Sequence, residues 1–525
     1  MDLIGHRTLR DHLEEMVTIN GEKEFLIIEY DSGKVDRLTY REFDDLVNRT
    51  ANSFLASGVV KGDRFAILLP TGIAYLASWF ACAKIGAIAV PLNVACSTDE
   101  IAYFLTYVEA GSLIIAEDLQ YHLEGLGDAA AKLRTIWVPE GPATSSACST
   151  QPIRIWRDEV MKHSVDLASA DISSDTVAQI LFTSGSTARP KGVMHTHANC
   201  LWSGERTAKS FRLCPEDISL TVLPLFHVNA MSFSVLGPLI VGATACFIER
   251  YSASQYWQQV RKYGATYISL LPFLIRTQLA LPPSKEDGVH GVKTAVYGLN
   301  CTDRERAEYE ARFNVKFINL YGLTEAITLV LAAPLDRDRR WPSVGMPVFD
   351  RDVRLFRSDG QEAAIEEVGE IAVHGVPGRT IMLGYYHDEA ATASTIRDGW
   401  LFTGDQAWRD AHGHFYYVDR SKDMIKRNGE NISAGEVERA LIEHPKVADC
   451  AVIAIPDPLR DEAVKAYIVA KADVELRAEE VTEYCKRYLA SFKVPTVIEF
   501  RSALPKTSIG KTDKGALRRE KPVDA

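Results

Sequence analysis

Residues 182–192 read FTSGSTARPKG. Backbone N–H groups and hydroxyls crowd into this turn ahead of one lysine, the usual composition of an anion nest. It leaves an apolar, β-branched run, VAQILF (177–182), which reads as a buried strand. The turn is not a Walker A motif. That motif requires G-x-x-x-x-G-K-[ST], whereas here Pro190 precedes Lys191 and Gly192 follows it, and Pro190 also removes a backbone donor. Read alone, the stretch serves equally well as a Ser/Thr/Gly surface turn with one solvated lysine.

Outward from this turn the same texture repeats. ISLTVLP (218–224), ATYISLLP (265–272) and VKFINLYG (315–322) are short β-branched runs between helix-like segments, which predicts a layered α/β body with largely buried strands. At 399–419 the sequence changes to GWLFTGDQAWRDAHGHFYYVD, with turns expected at Gly404-Asp405 and at His412-Gly413-His414 in a hairpin near a domain edge. Beyond it, KVADCAVIAI (446–455), VKAYIVAK (464–471) and TVIEFR (496–501) read as strands, and EVERALIEH and AEEVTEYCKRYLASF as helices. These make about 100 residues, enough for a small α+β domain. The expected organisation is α/β: a large N-terminal domain of several subdomains, residues 1–420, and a small mobile C-terminal α+β domain, residues 421–525. The polar joint Asp419-Arg420-Ser421-Lys422 between them can act as a hinge.

Composition bounds the function. A chain of 525 residues with a formal net charge of −11 carries no general basic surface, which argues against nucleic acid or an anionic membrane as its partner. Its nine cysteines form no C-x-x-C pair, so reduced thiols in the cytoplasm are expected rather than disulfides or thiolate metal sites. The start, MDLIGHRTLRDHLEEM, has no apolar core of a signal peptide. Residues 65–83, FAILLPTGIAYLASWFACA, are uncharged over a membrane-like length, but Pro70-Thr71-Gly72 divides them into a short strand and a helix, so no integral membrane span is expected.

Further polar clusters stand at loop-like places: LPLFHVNA (223–230), INLYGLTEA (318–326), GWLFTGD (399–405), YVDRSKDMIKRNGENISAGEVE (417–438) and LPKTSIGKTDKG (504–515). Tyr321 offers a flat face to a purine, and Thr324 and Glu325 a hydroxyl and a carboxylate suited to phosphate and Mg²⁺. Asp405 can accept hydrogen bonds from both hydroxyls of a ribose. Lys511, after Gly510, is one of the three lysines of its Ser/Thr/Gly turn and on its own reads as a solvated charge.

In content and order these clusters resemble the adenylate-forming superfamily, which includes acyl-CoA synthetases, firefly-type luciferases and the adenylation domains of peptide synthetases. The resemblance covers essentially the whole chain. It implies ATP, Mg²⁺ and coenzyme A as the small molecules used, with a carboxylic acid as the fourth partner. By resemblance, Thr183, Ser184, Gly185, Ser186, Thr187 and Lys191 wrap the β- and γ-phosphates, although Ala188 stands where the family usually has glycine. Tyr321 and Gly322 meet adenine, Thr324 the α-phosphate, Glu325 the Mg²⁺, and Asp405 the ribose, with Arg420 a second ribose or phosphate contact. Lys511 neutralises charge at the α-phosphorus and orients the acid, Lys422 is the hinge, and Gly429 lines the CoA channel. Gly298, Leu299 and Asn300 border the acyl site and narrow it. His227 reads either as a gate beside that site or as a histidine satisfied inside a core.

Within the superfamily, GYYHDEAATA (384–393) and IPDPLRDEAVKA (455–466) are similar to the CoA ligases, and ERYSASQYW (249–257) and RRWPSVG (339–345) to carnitine- and crotonobetaine-CoA ligases. The resemblance implies acyl-adenylate formation followed by transfer to CoA, on a short or polar acid. A carrier-protein phosphopantetheine or another acceptor in place of CoA would share every ATP residue. A nucleotide-binding module without catalysis is the third reading, against which Glu325, Asp405 and Lys511 stand together. The sequence leaves the oligomeric state open, a homodimer included.

Overall fold

The computed structural model describes residues 2–141, 153–183, 190–298, 301–336, 339–420, 423–427, 430–457, 461–507 and 511–520. Ser184, Gly185, Ser186, Thr187, Ala188, Leu299, Asn300, Lys422 and Gly429 lie outside these residues, as does the side chain of Arg420.

The apolar runs build two large sheets. Nine strands of the described residues order as Met346–Pro347, Thr328–Ala332, Phe317–Leu323, Thr294–Gly298, Tyr267–Leu270, Ile218–Thr221, Thr244–Ile248, Glu24–Glu29 and Val35–Thr39. Eight more order as Gly384–Tyr385, Lys191–Thr196, Val177–Thr183, Ile88–Pro91, Arg64–Leu68, Ser112–Ile115, Thr135–Val138 and Ile153–Ile155. The inner strands of both run parallel and the site-facing ends are antiparallel. Every residue of Thr244–Ile248 and Tyr267–Leu270 is buried, because helices cover such strands on both faces; that is why these runs lack polar alternation.

One core joins both sheets through helices Leu9–Asn20, Tyr40–Ala56 and Ile73–Ile85. The last follows strand Arg64–Leu68 and is buried continuously from Tyr75 to Ile85, which accounts for the uncharged window at 65–83. Its one charge, Lys84, is satisfied inside the protein: Nζ lies 2.6 Å from Asp44 Oδ1 and 2.8 Å from Asn48 Oδ1. No helix among the described residues is long and apolar enough to cross a membrane.

A third sheet sets Asp352–Phe356, Gly369–His374, Trp400–Arg409 and Ile396–Arg397 side by side, with Phe415–Arg420 paired to Trp400–Arg409. The expected hairpin is present, but the turn expected at Gly404-Asp405 is not. Trp400–Arg409 runs through that dipeptide as one strand, with Gly404 at φ 75° and a register shift between Gln406 and Ala407. Glycine there bends the strand without reversing it. The chain reverses at 410–414, where Asp410 N donates to His414 O and Gly413 N to Asp410 O, at 2.9 and 3.1 Å.

The fourth sheet, Glu430–Ser433, Met424–Arg427, Asp461–Ala470 and Val447–Asp457 with Val497–Phe500 on Asp461–Ala470, has a separate core with helices Ala434–Ile442 and Ala478–Tyr488. Asp419 Oδ2 accepts from Gly435 N at 2.9 Å and from Ser433 Oγ at 3.1 Å, tying the end of the third sheet to the N-terminus of helix Ala434–Ile442. A carboxylate at a helix N-terminus is stabilised by the unpaired amides there.

Candidate active site

The opening turn connects Val177–Thr183 to Lys191–Thr196, and the register pairs Thr183 with Lys191. Both ends of the turn are therefore side by side. Lys191 Nζ stands 4.8 Å from the ring centroid of Tyr385 and 4.0 Å from Asp388 Oδ2. Tyr385 is brought there by the short edge strand Gly384–Tyr385, which pairs with Lys191–Thr196.

Across from this sheet, strand Phe317–Leu323 ends in the single 3₁₀ turn Thr324–Ala326. Glu325 Oε1 accepts from Thr183 Oγ1 at 3.3 Å and from Tyr385 OH at 3.1 Å. Burial, and then the Glu325 charge, push the Tyr385 phenol well above its usual range, so it stays a donor. One carboxylate, two hydroxyls and one ammonium thus converge from two sheets. No group of three or more His, Cys, Asp or Glu placed to hold a metal occurs among the described residues. A Mg²⁺ here would rest on Glu325, substrate phosphates and water, a set of hard oxygen donors that suits it.

Asp405 is 6% exposed and is held from two sides. Oδ2 accepts from Tyr321 OH at 2.6 Å and Oδ1 from Tyr417 OH at 3.4 Å. The sequence reading used only the ring of Tyr321; the structure gives its hydroxyl to Asp405, and burial followed by the Asp405 charge raises that phenol well above its ordinary value. Arg420 lies opposite Asp405 in the strand register. A Cβ on Gly322 would sit 1.9 Å from Thr328 O, so backbone leaves no space there. Gly322→Ala is expected to destabilise the fold by about 1–3 kcal/mol through overpacking, read as a lowered Tm, and an unchanged Tm would show that the two strands part freely.

His227 precedes the short helix Val228–Ala230 and is half-buried. Burial first, and then the positive charge of Lys511, hold its pKa down at about 4, so the imidazole is neutral at physiological pH. Lys511 is itself exposed, and its carbonyl accepts from Thr507 N at 2.6 Å. Gly298 ends strand Thr294–Gly298; a Cβ there would only touch Leu320 Cδ1 at 3.6 Å.

Tyr385 and Tyr417 went unassigned in the sequence reading. Tyr385 sits inside GYYHDEAATA, a segment read only for kinship, and nothing local marks it as the partner of a carboxylate 60 residues away.

A family model described as AMP-binding enzyme matches residues 13–386, and one described as AMP-binding enzyme C-terminal domain matches residues 436–511. The crotonobetaine/carnitine–CoA ligase of Escherichia coli O157:H7 is 37% identical over 99% of this chain and the whole of that protein. Among solved structures, the anthranilate CoA ligase AuaEII in complex with anthranoyl-AMP superposes with a TM-score of 0.87 at 26% identity, covering 98% of this chain and 97% of that one. The o-succinylbenzoate CoA synthetase MenE of Bacillus subtilis, in complex with its acyl-adenylate intermediate, gives 0.84 at 26% identity, covering 99% and 100%. With both models matched in order and a relative this similar end to end, the chain belongs to the AMP-binding enzyme family.

Proposed function

We propose that the protein is an ATP-dependent, AMP-forming acid–thiol ligase that activates a short or polar carboxylic acid and transfers it to coenzyme A. The observation that carries this reading is the convergence of Thr183, Lys191, Glu325 and Tyr385 on one side and of Tyr321 and Asp405 on the other. Those groups match the demands of one reaction. An oxygen of the substrate carboxylate attacks the α-phosphorus of ATP, the bond to the bridging oxygen of the β-phosphate breaks, and pyrophosphate leaves. Thiol sulfur then attacks the acyl carbon, AMP departs with the bonding pair, and the thiol proton passes to solvent.

In this reading Asp405 fixes the ribose, and Tyr321 and Tyr417 keep its carboxylate oriented. Lys191 and the turn after Thr183 hold the leaving phosphates, while Lys511 offsets the charge that builds as two anions approach. Bound Mg²⁺ supplies further charge neutralisation on the phosphates, with Glu325 as its protein ligand. Neutral His227 bounds the acyl side without adding a charge. The C-terminal unit, residues 421–525, turns about Lys422 between the half-reactions and brings Gly429 to the CoA channel.

The acid is proposed from Leu299 and Asn300, which take space and add an amide, and from likeness to a relative named for crotonobetaine and carnitine. The free cysteines among the described residues suit a reducing compartment, and we place the enzyme in the cytoplasm, alone or as a homodimer. A panel of carboxylic acids incubated with ATP, Mg²⁺ and CoA tests the reading: AMP, pyrophosphate and acyl-CoA are expected. ADP and orthophosphate as the only products would overturn it, and adenylate without acyl-CoA would direct attention to a carrier-protein acceptor. Leu299→Gly should move kcat/KM toward longer acids by about tenfold or more for each added methylene the site then accepts. A wild-type optimum already at long fatty chains contradicts the narrow pocket.

A further inference from the structure

The turn that carries Thr324 and Glu325 is strained and unusually well tied. Directly after it, Ile327 and Thr328 both have positive φ, 48° and 79°, which β-branched residues rarely adopt. Such a backbone persists only where its surroundings hold it. Here each carbonyl of the turn meets a donor from elsewhere in the chain. Thr324 O lies 2.8 Å from His195 Nε2, Glu325 O accepts from Met382 N at 2.8 Å, and Ala326 O accepts from the Arg351 guanidinium. Arg351 also donates to Leu329 O at 3.0 Å and to Thr380 O at 2.7 Å.

His195 is buried, and its tautomer follows from its partners. A carbonyl can only accept, so Nε2 carries the hydrogen; Nδ1 must then accept, and Gln179 Nε2 donates to it at 3.2 Å from the cross-strand position. Burial holds the imidazole pKa at about 4, so it stays neutral and the arrangement has one form. His195 shares its strand with Lys191, while Thr324 follows a strand of the other large sheet. This hydrogen bond therefore spans the two sheets between which the phosphates would lie, and Met382, beside Gly384–Tyr385, ties the same turn to the same sheet.

We propose that His195, its tautomer fixed by Thr324 O and its ring oriented by Gln179, and Arg351 are positioning residues that set Glu325 against Lys191 for the metal–phosphate complex. The inference rests on the reading of Glu325 as a metal ligand. Neither residue touches substrate; each acts on the peptide that aims Glu325. Partners one step removed from a ligand commonly matter to metal binding about 10–100-fold.

The test uses full-length protein without acid substrate, so no turnover is read. Mn²⁺ binding to the ATP complex is followed by electron paramagnetic resonance, adenosine binding is measured in EDTA, and unfolding is followed by heat. His195→Leu should weaken Mn²⁺ binding at least about tenfold while adenosine binding in EDTA stays within about twofold, since Asp405 and Tyr321 are held by other contacts. His195→Gln, whose amide can donate to Thr324 O, should recover most of the loss. Unchanged Mn²⁺ binding in His195→Leu, or an equal loss of adenosine binding, overturns the proposal. Should His195→Leu fail to fold, Gln179→Leu leaves the imidazole in place and removes the hydrogen bond that orients its ring; a loss selective for Mn²⁺ supports the proposal and its absence refutes it. Glu325→Gln run beside these separates the two layers. If it binds Mn²⁺ as the wild type does, the metal reading fails and this inference with it. Loss in Glu325→Gln but none in His195→Leu removes the positioning role alone.

Discussion

Lys511→Ala is expected to slow adenylate formation about 10²–10³-fold, the scale of deleting one charge-stabilising donor in an enclosed site. Its conversion of supplied acyl-adenylate to thioester should remain near the wild-type rate. The separation follows from the proposed domain alternation: Lys511 offsets charge only while the acid attacks ATP, and a different arrangement of the C-terminal unit serves the thiol. With Gly429 at the CoA channel as proposed, Gly429→Leu should show the reverse pattern, because a side chain there would obstruct the thiol without touching ATP. Single-turnover measurements of each half-reaction check both variants, and equal losses in the two steps for both would show that no domain alternation divides the chemistry. Loss of fold cannot account for a selective loss in Lys511→Ala, since the residue is exposed and lies outside the cores.

Glu325→Gln should reduce the Mg²⁺-dependent step by a comparable factor, about 10²–10³-fold, since an amide is a poor ligand for a hard cation and carries no charge. The half-saturating Mg²⁺ concentration should rise with it. Glutamine keeps the shape of the side chain and can still accept from Thr183 and Tyr385, so the fold is expected to survive. Thermal unfolding within a few degrees of wild type would establish that. A folded Glu325→Gln protein that forms adenylate at the normal rate, with unaltered Mg²⁺ dependence, removes Glu325 from the metal site. Tyr385→Phe offers a graded companion. It deletes one hydroxyl 3.1 Å from Glu325 and keeps the ring beneath Lys191, so a loss of about tenfold or less is expected.

What was legible in the sequence shares one property: it is local. The strand before the turn, Val177–Thr183, is marked by its own apolar, β-branched run. The alternation of buried strands and helices declares an α/β body because each element must bury an apolar face wherever it ends up. Even the uncharged run at 65–83 resolved into a strand and a helix, since Pro70 and Gly72 constrain the backbone on their own account. The single local error, a turn at Gly404-Asp405, has the same origin: a glycine at positive φ is compatible with a turn and with a bent strand, and only the pairing with Gly369–His374 and Phe415–Arg420 selects the strand.

The rest was decided by tertiary structure, because it depends on side chains meeting across large separations in the chain. Tyr321 and Asp405 are 84 residues apart, Tyr385 and Glu325 are 60, and His195 and Thr324 are 129. No spacing rule links such pairs. Tyr385 reaches Glu325 only because a two-residue edge strand docks on Lys191–Thr196, and His195 reaches Thr324 only because two sheets built from interleaved segments face one another. The sequence alone thus determined the family and the class of fold. The mutual aim of the site's side chains, the neutrality of His195 and His227, and the strain held at Ile327 and Thr328 came from packing, since burial and distance act between atoms that the linear order does not bring together.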